Sequence, residues 1–164
     1  MIWSSDATTH SAVFLSIALI AAACGGDSEG GSGNVSSPCD LAAAAMVQSL
    51  FGGTVAEGSE GEARNCSFSI EGGTVSSVSI FSFGPASGWE GTREGYVENR
   101  GGVTDLSGIG DGAFHPNDSG PIEVVAQAGG EIVAISVLNA FIEPPPGTPG
   151  LVSELAQAIA DNLG

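Results

Sequence analysis

The fold is decided by one apolar stretch, Ile122-Glu-Val-Val-Ala-Gln-Ala-Gly-Gly-Glu-Ile-Val-Ala-Ile-Ser-Val-Leu138. Two alternating runs flank Gly129-Gly130, which predicts a two-residue hairpin turn, because glycine accepts the positive φ angles that such turns need. The turn predicts three pairs on one face: Ala126 with Val133, Val124 with Ile135 and Ile122 with Val137. That apolar face is expected to pack against helices.

A second hairpin is predicted upstream, with residues 65–70 and 75–83 as its strands. A two-residue turn would set the apolar side chains opposite serines, whereas a loop of three residues, Gly72 to Thr74, sets apolar against apolar. We therefore predict the longer loop, with these pairs: Ile70 with Ser76, Phe68 with Val78 and Cys66 with Ile80.

Three segments carry helix signals. Ser37-Pro38 predicts a start that Gly52-Gly53 ends, and Ser87-Gly88-Trp89-Glu90 has the form of a capping box for a helix that runs to about Arg100. Thr148-Pro149 predicts a last helix, which carries on one side Leu151, Leu155, Ala158 and Ile159. With a short strand near Ala113, this order indicates an α+β fold: an antiparallel sheet of about five strands with about three helices, mainly on one face.

An uncharged apolar run, 11–24, ends in three alanines and Cys24. It is shorter than the roughly 20 residues that a membrane span needs, and it fits the core of a secretory signal. No Lys or Arg precedes it, although such signals normally begin with positive charge. The pattern is typical of a bacterial lipoprotein signal, in which the cysteine thiol accepts the lipid. We therefore expect residues 1–23 to be a signal peptide and Cys24 to be the site of lipid attachment.

The region behind Cys24 divides into two parts. Residues 24–37 are rich in Gly, Ser and acids and read as a flexible tether with a reach of about 20 Å. Residues 38–164 are long enough for a single domain with its own core. We expect this α+β domain to lie on the extracytoplasmic face of the cell membrane.

The charge balance is strongly acidic, with 19 Asp and Glu against three Arg and no Lys. Loss of Asp6 with the signal would leave 18 acids against three bases, a formal charge of −15. Such a surface argues against a nucleic-acid partner, because nucleic acid is bound chiefly through Lys and Arg.

Cys39 and Cys66 remain once Cys24 is assigned to the lipid. An extracytoplasmic location favours a disulfide between them. A reactive thiol pair is the alternative, although such pairs usually show the closer Cys-x-x-Cys spacing.

Two motifs together resemble a family. The first half of the pattern consists of the lipoprotein cysteine, the Gly/Ser tether, Pro38-Cys39-Asp40-Leu41 and Cys66-Ser67-Phe68. The second half is the segment 105–114 (Asp-Leu-Ser-Gly-Ile-Gly-Asp-Gly-Ala-Phe), which precedes the terminal hairpin and helix. This arrangement resembles small actinobacterial cell-envelope lipoproteins of unknown function, the group that contains several mycobacterial Lpr-type lipoproteins. The resemblance implies an envelope location and a Cys39–Cys66 disulfide, and it brings no catalytic residues and no cofactor.

Candidate chemistry centres on the segment 105–118. Gly108–Ala113 formally matches a dinucleotide-binding motif, but Phe114-His115-Pro116 follows where that motif needs a helix, so a glycine turn into a strand is the better interpretation. His115 is the only histidine behind the signal, so a hydrolase would have to use it with an acidic neighbour. A weak divalent-cation site or a plain surface loop are the other interpretations, with these candidate ligands: Asp105, Asp111, His115 and Asp118.

Two further groups have a structural and a functional interpretation. Glu57, Glu60 and Glu62 lie among glycines and read as a solvated loop, although sequence alone leaves a catalytic carboxylate pair open. The aromatic residues could line a small pocket but more often form core under a helix: Phe81, Phe83, Trp89 and Tyr96. Taken together, the sequence predicts a non-enzymatic binding or interaction domain, whose partner is an envelope protein or a small apolar ligand held between sheet and helices.

Overall fold

The computed structural model describes residues 37–61, 64–138 and 145–164, which all belong to one unit. An antiparallel sheet and three helices make up this unit, so the predicted α+β class is confirmed. The predicted signal, Cys24 and nearly all of the predicted tether lie outside the described residues, as do residues 139–144 before the last helix.

The sheet has eight strands, and the expectation of about five was too low. Its strands are β1 Thr54–Val55, β2 Ser59–Gly61, β3 Asn65–Glu71, β4 Ser77–Pro85, β5 Val103–Leu106, β6 Gly112–Pro116, β7 Ile122–Ala128 and β8 Glu131–Leu138. The spatial order is β1-β3-β4-β8-β7-β6-β5, and β2 pairs with the same strand as β1, namely β3. The strands missing from the prediction are β1, β2 and β5, which have only two to four residues each and little apolar alternation.

Both predicted hairpin registers are confirmed. Phe68 lies opposite Val78, and the backbone N–H of Ile70 donates to the carbonyl of Ser76 at 2.9 Å, as the three-residue loop requires. In the hairpin of β7 and β8, Val124 lies opposite Ile135, and the turn glycines have positive φ.

The helices are α1 Ala44–Phe51, α2 Trp89–Asn99 and α3 Thr148–Leu163. The prediction of a continuous first helix from Ser37 was wrong, because the chain forms a 3-10 turn at Pro38–Asp40 and enters α1 only at Ala44. The Ser37 hydroxyl does cap that turn by accepting from the Cys39 N–H. The capping box predicted for α2 does not form, since a 3-10 turn at Ala86–Gly88 precedes the helix.

The two faces of the sheet are covered unequally. On one face, here called the α1/α3 face, α1 and α3 bury the main core, which includes Phe51, Phe68, Ile80, Ile135, Leu155 and Ile159. On the other, the α2 face, the single helix α2 covers a smaller cluster around Phe114. Two helices thus lie on one face and the third on the other.

Cys39 and Cys66 form the predicted disulfide. The bond ties the 3-10 turn to β3, and Cys66 is completely buried. Among the described residues, no helix is both long enough and apolar enough to cross a membrane.

Candidate functional site

A groove of about 510 Å³ opens where the sheet edge meets the first turn of α3. Strands β5, β6 and β7 form its floor, and Pro149 and Ser153 of α3 form part of its wall. We call it the edge groove. Its apolar lining consists of Leu106, Pro116, Pro121, Ile122, Val124 and Pro149.

The edge groove exists because the apolar pattern of β7 continues past the region that α3 covers. Val124 is 2% exposed, whereas Ile122, one step nearer the strand start, is only partly buried. Three prolines lie in the lining. Because proline has no backbone N–H, it cannot donate the hydrogen bond that would continue a strand or a helix at those positions. The groove therefore combines an apolar patch with polar side chains and is bordered by prolines.

His115 lies in β6 and lines the edge groove. Its Nδ1 is 3.1 Å from the carbonyl oxygen of Pro116, so this nitrogen carries the proton and donates. Among the described residues, no carboxylate is hydrogen-bonded to the ring, as a Ser-His-Asp arrangement would need. The imidazole can therefore offer Nε2 to a ligand as a polar contact.

Asp118, the candidate acid nearest to His115 in the lining of the groove, is bound to Arg100. The Arg100 Nη2 donates to Asp118 Oδ1 at 3.1 Å, and a second bond joins Nε to Oδ2. These hydrogen bonds lower the pKa of the Asp118 carboxyl from its usual value and raise that of the Arg100 guanidinium. Asp118 is thus held as an ion-pair partner at the groove rim.

The predicted metal ligands are distributed over different elements. Asp105 lies in β5 and accepts a forked pair of bonds from Arg93, at 3.0 and 3.1 Å, while Asp111 lies in the turn before β6. In the described part of the chain, no three His, Cys, Asp or Glu side chains are arranged to hold a metal ion.

The glutamates predicted to lie in a solvated loop are partly in a strand. Glu60 belongs to the exposed strand β2 and accepts a hydrogen bond from the Ser37 hydroxyl. Glu57 is exposed in the preceding loop, and Glu62 lies outside the described residues.

The four predicted aromatics divide into core and surface. Trp89 and Tyr96 of α2 pack against Phe114, with ring centroids 5.3 and 5.2 Å apart, and Phe81 adjoins the same cluster. These three confirm the interpretation as core under a helix. Phe83 is 46% exposed.

A buried polar cluster links α2 to β7, and the sequence analysis missed it. Glu123 is 8% exposed, and its carboxylate accepts from the Tyr96 hydroxyl at 2.7 Å and from Arg100 at 3.3 Å. Burial, the bond to Glu123 and its charge raise the pKa of Tyr96 above its usual value. An acid inside a strand flanked by Ile and Val was the available signal, because a buried carboxylate requires partners.

A comparison of the chain with protein-family models, curated proteins and solved structures finds no match.

Proposed function

We propose that this chain is a lipoprotein anchored through Cys24 to the extracytoplasmic face of the cell membrane, where its domain binds a small apolar ligand in the edge groove. The observation that carries the binding role is the groove itself. About 510 Å³ is within the range of small-molecule sites, and the described lining combines six apolar side chains with six polar ones.

The polar side chains of the groove are suited to orientation rather than to catalysis. Thr104 and Asn117 are bonded to each other at 2.7 Å, and His115 is bonded to the chain's own backbone. No Arg or Lys is among the described lining residues, so the groove has no group that would bind an anionic ligand tightly. An uncharged, mainly apolar molecule with one or two polar atoms fits this lining.

The proposed location outside the cytoplasm is supported by the lipoprotein signal pattern. It also agrees with the Cys39–Cys66 disulfide, because disulfides persist outside the reducing cytosol. The likeness to small actinobacterial envelope lipoproteins points to the same compartment. Replacing Cys24 by Ala should release the protein from the membrane fraction, whereas Cys39→Ala should leave it there. Equal membrane association of Cys24→Ala and wild type would refute the anchor.

Ligand binding is tested with the uncharged fluorescent dye Nile red and the full-length protein in detergent. Ile122→Trp fills the groove and should weaken dye binding about tenfold or more. The matched control Val97→Trp changes an exposed valine on the α2 face and should leave binding unchanged. Binding that is absent in the wild type, or equal in both variants, would contradict the proposal.

His115→Ala separates binding from hydrolysis. A polar contact at the rim predicts a change in dye affinity of threefold or less, with no effect on the viability or envelope phenotype of the cell. A hydrolase that depends on His115 would lose its function entirely.

A further inference from the structure

A second groove, of about 370 Å³, lies on the α2 face, between α2 and the end of β4. We call it the helix groove. Its lining consists of Phe83, Gly91, Thr92, Gly95, Tyr96, Asn99 and Arg100. It is separate from the edge groove, with which it shares no lining residue in the described chain.

The exposed ring of Phe83 stands at this groove because the strand is irregular there. The pairing of β4 with β8 shifts between Ser82 and Gly84, so Phe83 is the extra residue of a bulge. Bulges redirect side chains, often beside binding sites. The ring is 46% exposed, although Phe81, two residues earlier, packs into the small core.

The glycines of α2 have no reason within the protein to be glycine. A Cβ built on Gly91 or on Gly95 meets no atom within 4 Å, and neither residue has positive φ. Glycine inside a helix nevertheless weakens it relative to alanine. Their bare backbone leaves room in the helix groove for something to approach the helix closely.

Beside the helix groove, the half of the α2 face that no described helix covers carries serines, most of them partly exposed. We call this surface the serine face; its members are Ser67, Ser69, Ser77, Ser79 and Ser136. Register places Ser67, Ser79 and Ser136 in one row across three strands, at a spacing of about 4.8 Å. The hydroxyls of Ser67 and Ser79 are bonded to each other at 3.0 Å.

The serine face and the helix groove are continuous. Ser136 lies opposite Glu123, and the Tyr96 and Arg100 side chains that bond Glu123 also line the groove. An exposed leucine, Leu138, pairs with Ser77 at the far end. From Ser77 to Phe83 the strand measures about 20 Å, at about 3.3 Å per residue.

Charge distinguishes the helix groove from most of the molecule. The full chain has a formal charge of −16, yet no acid is among the described residues that line the helix groove. The glutamates of α2 lie at positions 90, 94 and 98, on a different stripe of the helix. The guanidinium of Arg100, which lines the groove, is already bonded to Asp118 and Glu123. An anion would be repelled by the surrounding acids, and a cation would find carboxylates elsewhere, so the groove suits a neutral ligand.

We propose that the helix groove and the serine face together bind an uncharged polysaccharide. A sugar chain carries hydroxyls that can both donate to and accept from the serine row, and the apolar faces of its rings can pack on Phe83. A second copy of this chain fits less well, because two strongly acidic proteins repel each other and serines bury little apolar area.

The test measures binding of cellohexaose and chitohexaose, two neutral oligosaccharides, to the full-length protein by calorimetry, with oligogalacturonate as the charged comparison. Both neutral probes should bind and the charged one should not. Ser79→Ala combined with Ser136→Ala should weaken binding about tenfold, because two hydrogen bonds are lost. Ser49→Ala, on the exposed surface of α1, should leave it unchanged.

Gly95→Ala gives a readout that a merely structural glycine would not give. It should raise the melting temperature, because alanine favours the helix, and at the same time weaken sugar binding at least fivefold by filling the groove. Gly150→Ala in α3, where a Cβ also meets nothing within 4 Å, should leave sugar binding unchanged.

Four results would overturn the proposal. Three concern binding: neither neutral probe binds at about 5 mM, oligogalacturonate binds equally well, or the serine variants bind like the wild type. The fourth is that the wild type forms a dimer and the serine substitutions make it monomeric. The last would make the surface a self-interface. These outcomes are independent of Nile red binding in the edge groove, so either site can fail while the other stands.

Discussion

The Cys39–Cys66 bond should supply a large share of the stability of the domain. It spans a sequence separation of 27, for which loop-closure entropy gives about 3.5 kcal/mol. The Cys66 sulfur is fully buried, so replacing both cysteines by Ala adds about 1 kcal/mol for lost packing. The double variant should therefore lose about 4–5 kcal/mol, against a typical total of 5–15 kcal/mol.

The assay is urea unfolding of the full-length protein in detergent, followed by tryptophan fluorescence and circular dichroism. The oxidised wild type is compared with the reduced wild type and with Cys39→Ala/Cys66→Ala. Cys24→Ala is the matched control, because it removes the third sulfur and leaves the bond intact, and it should unfold like the wild type. If oxidised and reduced proteins unfold at the same urea concentration, the bond does not constrain the chain as argued.

Four further predictions concern the α2 face and the hairpin turn. Tyr96, the only tyrosine, should show no phenolate absorbance as the pH rises through 10 until the protein unfolds. Because its pKa is raised in the folded state, its contribution to stability is complete below about pH 10 and is lost at higher pH. A normal tyrosine titration in the folded state would contradict its burial. Arg100→Met should lower the free energy of unfolding by about 2–3 kcal/mol, because it leaves the Glu123 carboxylate buried without this partner. Arg93→Met breaks an exposed ion pair and should lower it by less than about 1 kcal/mol. Equal losses in chemical unfolding would refute the buried cluster. Since the pKa of Asp118 is lowered by Arg100, its contribution is present above about pH 4 and lost as the pH falls further, so the Arg100→Met stability curve should be flatter there. Gly129→Ala should lower the free energy of unfolding by about 2–3 kcal/mol, because the added Cβ would overlap the Leu163 carbonyl. Gly130→Ala should lower it by only about 1 kcal/mol, the penalty for positive φ. The reverse order in thermal melting would mean that the end of α3 does not pack on the turn.

Local patterns predicted the hairpins well because the apolar face of each hairpin allows only one register. In β7 and β8 the glycine turn and the apolar face allow the same pairing. In β3 and β4 the apolar face selected the three-residue loop over the shorter one. The disulfide was predicted from an expected extracytoplasmic location and from the two cysteines that remain beside Cys24.

The sheet edges and the first helix were harder to predict. Strands β1, β2 and β5 gain their structure from a longer neighbour, so their own residues show little pattern. Ser37 and Pro38 do begin a helical segment, but it is a 3-10 turn rather than α1. Cys39, inside this turn, is joined to Cys66 before α1 begins. Tertiary contacts decided these elements.

The candidate site was predicted only in part. His115 and Asp118 do line one groove, but the guanidinium that holds Asp118 comes from Arg100, 18 residues earlier in the chain. The helix groove depends on which half of a sheet face α2 covers. No local pattern states that coverage, although the run of alternating serines in β3 and β4 shows that one face there is polar.

We expect Cys24 to carry the lipid of an envelope protein, and intact-mass spectrometry of the protein extracted from membranes tests this. The expected result is a chain that begins at Cys24, with lipid mass on that residue and two hydrogens fewer than the fully reduced form, since Cys39 and Cys66 are joined. An unprocessed chain without lipid, recovered from the cytosol with its thiols free, would contradict it.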